Sequence, residues 1–117
     1  MEDMEKLIKM VVSRTIAELK AREMLSGSSE ERTEGFLRNY NYFLSSPNPD
    51  LRSLVTEIDR ALEAISDDPY YSIIPMYYFS RDSREDVAEY FGTSVTTISR
   101  QKKRLLGIIA TLLFYKH

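Results

Sequence analysis

Apolar side chains recur at three- and four-residue steps along nearly the whole chain, with only four glycines and four prolines to interrupt them. That spacing stacks one face of a helix, whereas a half-buried strand alternates at every second residue. So few turn residues also argue against an all-β fold, which needs many chain reversals. The chain is therefore expected to be all-α.

Leu7 or Ile8, Val11, Thr15 or Ile16, and Leu19 trace one long amphipathic helix from about Asp3 to Met24. Gly27, Ser28 and Ser29 end it, and residues 28–32 read as the cap and acidic first turn of a second helix. Phe36, Leu37, Tyr40, Phe43 and Leu44 give that helix an aromatic-rich face. Pro47 and Pro49 stop it, because proline lacks the amide proton a helix interior needs. Asp50 is expected to cap a third helix carrying Leu51, Leu54, Val55, Ile58, Leu62 and Ile65 on one side. Asp67-Asp68-Pro69 reads as a stop followed by a start, with proline at the first helical position. Three further helical pieces are expected: 70–79, kinked at Pro75, then 83–91, then a long one over 94–115. The organisation expected is a helical N-terminal region over 1–68 and a second unit over 69–117.

Composition removes most chemistry. The 117 residues suit one domain, or a small domain with an extension. Without cysteine there are no disulfides, thiolate metal ligands or thiol nucleophiles, a pattern that fits a reducing compartment. His117 is the single histidine, so neither a zinc cluster nor a Ser-His-Asp triad can be assembled. No catalytic residue, metal or cofactor is expected, and the chain reads as a binding protein rather than an enzyme. The paired carboxylates Asp67-Asp68 and Glu85-Asp86 stand at helix starts, where they cap and meet the helix dipole. Glu2, Asp3 and Glu5 oppose the basic start of a signal peptide, and runs such as 108–115 are too short to span a bilayer. A cytoplasmic protein without membrane contact is expected.

One segment carries a mechanical meaning. Ala88, Gly92 and Ile98 follow one another at intervals of four and six residues. Two helices joined by a tight turn need a small residue where they approach and a residue tolerant of positive φ at the turn. They also need a branched apolar residue on the second helix to fill the angle between them. Val87 and Phe91 complete the wedge, and Ser94 stands where a helix cap belongs. The bare spacing would also fit an ordinary helical hairpin. The cap, the wedge and the polar helix face together point to a helix-turn-helix.

The total charge of −2 argues against a generally basic coat, yet its distribution is uneven. Residues 94–117 hold Arg100, Lys102, Lys103, Arg104 and Lys116 without one acid, while 50–93 hold ten acids against four arginines. The positive charge is concentrated on the second helix of the motif, as expected of an element that enters a DNA groove. At 3.6 residues per turn, Thr96, Ser99, Arg100 and Lys103 share one face, and Ile98, Leu105, Ile109 and Leu112 the opposite one. Arg100 is the candidate for bidentate contact with a guanine edge. Thr96, Thr97 and Ser99 suit bases or phosphates, and Val95 a thymine methyl. Ser94 caps the helix at the groove, and Lys102, Lys103 and Arg104 suit phosphates, as do Arg81 or Arg84. The partner expected is double-stranded DNA, read in the major groove by residues 94–104.

The stretches Tyr71-Ser-Ile-Ile-Pro-Met-Tyr-Tyr-Phe and Arg84-Glu-Asp-Val-Ala-Glu-Tyr-Phe-Gly-Thr-Ser-Val-Thr-Thr-Ile-Ser-Arg-Gln-Lys-Lys-Arg-Leu carry a likeness. They resemble the C-terminal half of the ArpU/RinA-like phage and prophage regulators, itself similar to the sigma-factor domain that reads the upstream promoter element. The resemblance covers residues 70–117 and implies a regulator of phage or mobile-element transcription in Gram-positive bacteria, binding DNA through 94–104. Thr93 and Gln101 depart from the pattern, standing where branched apolar residues are common and leaving the wedge less apolar.

Other readings fit less well. The length leaves no room beside the motif for a promoter-melting domain, so a complete sigma factor is not expected. Tyr115 lacks the His and Arg constellation of a recombinase and is expected in the core. Tyr70, Tyr71, Tyr77, Tyr78 and Phe79 share helical spacing with aliphatic neighbours, which suits core packing better than a base-stacking platform. One recognition helix touches few bases, so a homodimer through residues 1–66 is expected. The alternative function is a sigma-like module that docks on RNA polymerase or another regulator without reading DNA.

Overall fold

The computed structural model describes residues 27–115, so the helix expected over 3–24 lies outside the described residues. Among those described the chain is all-α, without a strand. Helix α1 spans Ser29–Arg38, α2 Tyr40–Leu44, α3 Pro49–Ala64, α4 Arg84–Phe91 and α5 Val95–Phe114, with a π-helical turn at Pro75–Phe79 between α3 and α4.

Local chemistry sets most of these boundaries. Ser28 and Glu31 form a reciprocal capping box at α1: the Glu31 amide donates to Ser28 Oγ at 3.1 Å, and the Ser28 amide donates to Glu31 Oε1 at 2.9 Å. The Ser28 amide first, and then the Ser28 side chain, holds the Glu31 carboxyl below its usual range. The second expected helix is in fact two. Asn39 breaks it, its side-chain amide turned back to donate to the Gly35 carbonyl at 2.8 Å. Phe36, Leu37 and Phe43 are buried as expected, but Leu44 is exposed.

The third helix starts two residues earlier than expected. Asn48, not Asp50, is its cap: Asn48 Oδ1 accepts from the Asp50 amide at 2.9 Å, and Pro49 takes the first helical position. Proline suits that position because its missing donor would have no partner there anyway. After α3 the expectation of a helix starting at Pro69 fails. Residues 65–72 make successive turns, in which Asp68 Oδ1 accepts from the Tyr70 amide at 2.9 Å. Pro75 then opens a π-helical turn closed by the Ser80 amide donating to the Pro75 carbonyl at 2.9 Å.

One core runs through all these elements. Phe36 and Leu37 of α1, Leu54 and Ile58 of α3, Ile73 and Ile74, Val87 of α4, and Leu105 and Ile109 of α5 are buried together. That core crosses position 68/69, where the two expected units would meet. Aromatic contacts reinforce it: Phe36 stacks on Phe114 at 5.8 Å between centroids, Tyr40 on Phe79 at 4.5 Å, and Tyr70 packs against Phe91 at 5.4 Å. The Tyr40 hydroxyl also donates to Asp59 Oδ1 at 2.6 Å; burial and then that carboxylate push its pKa up to about 12. The clustered tyrosines of 70–79 serve the core. Tyr115 does not, being 57% exposed, and Leu112 lies on the surface rather than on the buried face.

Candidate nucleic-acid interface

The turn between α4 and α5 forms where the spacing places it. Ser83 caps α4, its Oγ accepting from the Asp86 amide at 3.0 Å. Ala88 is 5% exposed, and Gly92 adopts the left-handed conformation with φ of 63°. Two bonds close the helix end: the Gly92 amide donates to the Glu89 carbonyl at 3.1 Å and the Thr93 amide to the Ala88 carbonyl at 3.0 Å. This is the Schellman arrangement, in which a residue with positive φ lets the chain reverse and still satisfy its last carbonyls. Glycine adopts that φ without the steric cost an L side chain would bring. Ser94 then caps α5, its Oγ accepting from the Thr97 amide at 3.1 Å and donating to Thr97 Oγ1 at 3.0 Å. Ile98 is buried behind the turn. Thr93 uses its amide in the closure, and the half-buried Phe91, packed on Tyr70, supplies apolar contact that Thr93 lacks.

Helix α5 therefore has a buried side and an open side. Thr96, Arg100 and Lys103 are exposed, and Ser99 beside them is half-buried. Val95 and Thr97 are half-buried at the helix start, Ser94 is exposed, and Arg84 is exposed in the first turn of α4. Lys103 also lines a cavity with Glu30, Glu31 and Glu34, which weakens the positive potential at its end of the face. Arg100 stands clear of that acidic rim.

Lys102 and Arg104 are placed differently. Lys102 Nζ lies 3.5 Å from Glu34 Oε2 and 4.4 Å from the centroid of the Tyr77 ring, with only 19% of its side chain exposed. Glu34 gathers further partners: the Tyr78 hydroxyl donates to it at 2.6 Å, and Arg38 lies 3.3 Å away. Burial, followed by the Glu34 bond, pushes the Tyr78 pKa up. Arg104 donates from both terminal nitrogens to Asp68, at 2.8 and 2.9 Å, and from Nε to Gln101 Oε1 at 2.7 Å. That bidentate pair holds the Asp68 carboxyl below its ordinary range and raises the Arg104 pKa. Two of the basic residues expected at phosphates are thus turned to partners within the protein.

The signal for Lys102 lay in the helical spacing. It falls four residues after Ile98 and three before Leu105, on the apolar stripe rather than the polar one. Glu34, Tyr77 and Asp68 carried no comparable signal, because they meet α5 only through the fold. Among the described residues, no group of three or more His, Cys, Asp or Glu could hold a metal ion, and no helix is long and apolar enough to cross a membrane. No protein-family model, curated protein or solved structure matches the chain.

Proposed function

We propose that the chain is a sequence-specific, double-stranded-DNA-binding transcription regulator, acting on phage or mobile-element genes from the cytoplasm. In this reading the first three turns of α5 lie in the major groove, with α4 crossing above them as the first helix of a helix-turn-helix. Arg100 reads a guanine edge, Thr96 and Ser99 contact bases or phosphates, and Val95 meets a thymine methyl. Ser94, Thr97, Lys103 and Arg84 position the helix on the backbone. Lys102 and Arg104 hold α5 in place rather than touching phosphates. Two copies of the chain, joined through residues 1–66, present two such helices to adjacent half-sites.

The observation that carries this reading is the exposed set of Thr96, Arg100 and Lys103, with the half-buried Ser99 beside them, on a helix whose opposite side is locked into the core. Binding of labelled duplexes from regions flanking the gene tests it. Affinity is expected to fall linearly with the logarithm of salt concentration, and to collapse when Arg100 and Lys103 are both replaced by alanine. Absence of salt-dependent binding by the unaltered protein would sink the proposal. It would leave the second reading, a sigma-like module docking on RNA polymerase or another regulator. The internal pairing of Lys102 and Arg104 favours that second reading, since it leaves fewer cations for phosphates.

A further inference from the structure

A cavity beside the π-helical turn serves neither the core nor the proposed DNA face. It has a volume of about 250 Å³ and is lined by Arg38 at the end of α1, Tyr77 and Tyr78 of the turn, and Arg81 and Asp82 just after it. Arg81 stands in the left-handed region with φ of 57°, whereas the other described residues with positive φ, Gly27 and Gly92, are glycines. The backbone fixes the reversal at Arg81: the Ser80 amide donates to the Pro75 carbonyl and the Asp82 amide to the Met76 carbonyl, each at 2.9 Å. Glycine would permit both bonds without the steric cost, so closing the turn does not account for an arginine. Strain kept at a position where glycine would remove it points to a side chain in use. Yet the Arg81 side chain is exposed and makes no ion pair or hydrogen bond with any described residue.

We infer that Arg38 and Arg81 form a binding site for a phosphate group. Two guanidinium groups line one cavity from different elements, α1 and the turn before α4. A tetrahedral phosphate offers oxygens in several directions and can meet both forks, whereas a planar carboxylate presents its edge to one. Tyr77 adds a half-buried hydroxyl without a hydrogen-bond partner among the described residues, while that of Tyr78 is committed to Glu34 at 2.6 Å. The local charge also favours an anion. Glu34 lies 3.3 Å from Arg38, but it is shared with Lys102 at 3.5 Å, so one carboxylate faces two cations before Arg81 is counted. Asp82, the one acid among the described lining residues, offsets Arg81 and leaves that excess in place. A free phosphate ester and a nucleic-acid backbone present the same group to such a site, and the experiment below separates them.

The full chain, isotope-labelled, is titrated with inorganic phosphate while chloride holds the ionic strength constant. Saturable shifts are expected at the Arg81 and Asp82 amides and at the Nε–H groups of Arg38 and Arg81, with a midpoint on the order of millimolar. Arg81→Gly should weaken binding roughly tenfold, the loss of one charged donor, while the thermal midpoint holds or rises as the left-handed strain is relieved. Arg38→Gln should weaken it by a similar factor, with circular dichroism reporting a folded chain. Asp82→Asn should tighten it, and Arg100→Ala, on the proposed DNA face, should leave it unchanged. Shifts that grow linearly with phosphate would overturn the proposal, as would an unchanged midpoint in Arg81→Gly. Equal weakening by Arg100→Ala would overturn it too, by making the response one of general charge, and so would weakening by Asp82→Asn. The titration is then repeated with a short DNA duplex in excess. Loss of the phosphate response assigns the site to a nucleic-acid backbone, and its persistence assigns the site to a free ester. Because the first titration contains no DNA, its failure and that of the proposed function are separate results.

Discussion

The basic residues at 100–104 fall into two pairs. Arg100 and Lys103 stand on the open side of α5, while Lys102 and Arg104 are held by Glu34 and Asp68. The difference follows from helix geometry and from what the fold brings to each side. Lys102 shares the stripe of Ile98 and Leu105, so its stem is buried and its ammonium needs a carboxylate and an aromatic face. Arg104 leaves the helix toward the turns after α3 and finds a forked acceptor in Asp68. A run of basic residues is thus divided into a pair free to meet an outside anion and a pair spent on fixing the helix that presents it.

The largest expected effect tests that division directly. Replacing Arg100 and Lys103 together should weaken DNA binding by roughly 2–4 kcal/mol, with Arg100 alone worth ~1–3 kcal/mol and a loss of discrimination at one base pair. The thermal midpoint should hardly move, because neither side chain packs. Lys102→Ala should do the reverse. Removing a mostly buried stem and one of the cations around Glu34 should cost roughly 2 kcal/mol of stability, read by urea unfolding. DNA affinity, measured well below the unfolding transition, should stay within about twofold of the original. If Lys102→Ala instead lowers the salt dependence of binding by about one unit, the lysine contacts a phosphate and the division breaks.

A smaller effect concerns the turn that aims both pairs. Gly92→Ala should destabilise by about 1 kcal/mol, through backbone strain alone, since a Cβ there meets nothing within 4 Å. Gly92→Asn should recover much of that loss, asparagine being the side chain most tolerant of the left-handed region. Equal losses for both variants, measured by the same unfolding experiment, would point to packing rather than φ.

How far these features were legible in the sequence depends on the range of the interaction behind them. Ser83, Gly92 and Ser94 act on amides within a few residues, so spacing alone locates the α4–α5 turn and its caps. The start of α3 was missed by two residues because Asn48 and Pro49 together outcompete Asp50, a contest between neighbouring signals. The helix expected from Pro69 fails for a longer-range reason: Asp68 is pinned by Arg104, 36 positions away in the chain, and residues 65–72 wrap as turns. Leu112 and Tyr115 repeat the apolar period of the buried stripe, yet they remain partly exposed. Period reports which residues share a face, and only the packed structure reports which face is covered.

The smallest effect belongs to the Arg104–Asp68 pair, and its sign is fixed by the acid. The pair holds the Asp68 carboxyl below its ordinary value, while in the unfolded chain it titrates near about 4. The stabilisation is therefore fully present above that pH and is lost as pH falls through the lower, folded value. With 42% of the Arg104 side chain exposed, solvent screens the pair, and its contribution should stay below about 1 kcal/mol. Asp68→Asn should accordingly melt slightly below the unaltered protein near neutral pH, with the gap closing as pH falls through the lowered folded value and narrowing in high salt. No gap near neutral pH would show that the side chain acts through its bond to the Tyr70 amide, which asparagine keeps in kind, rather than through charge. Arg104→Gln should show the same closing gap and leave DNA affinity within about twofold. A large loss of binding in that variant would return Arg104 to the groove side and reduce the internal set to Lys102 alone.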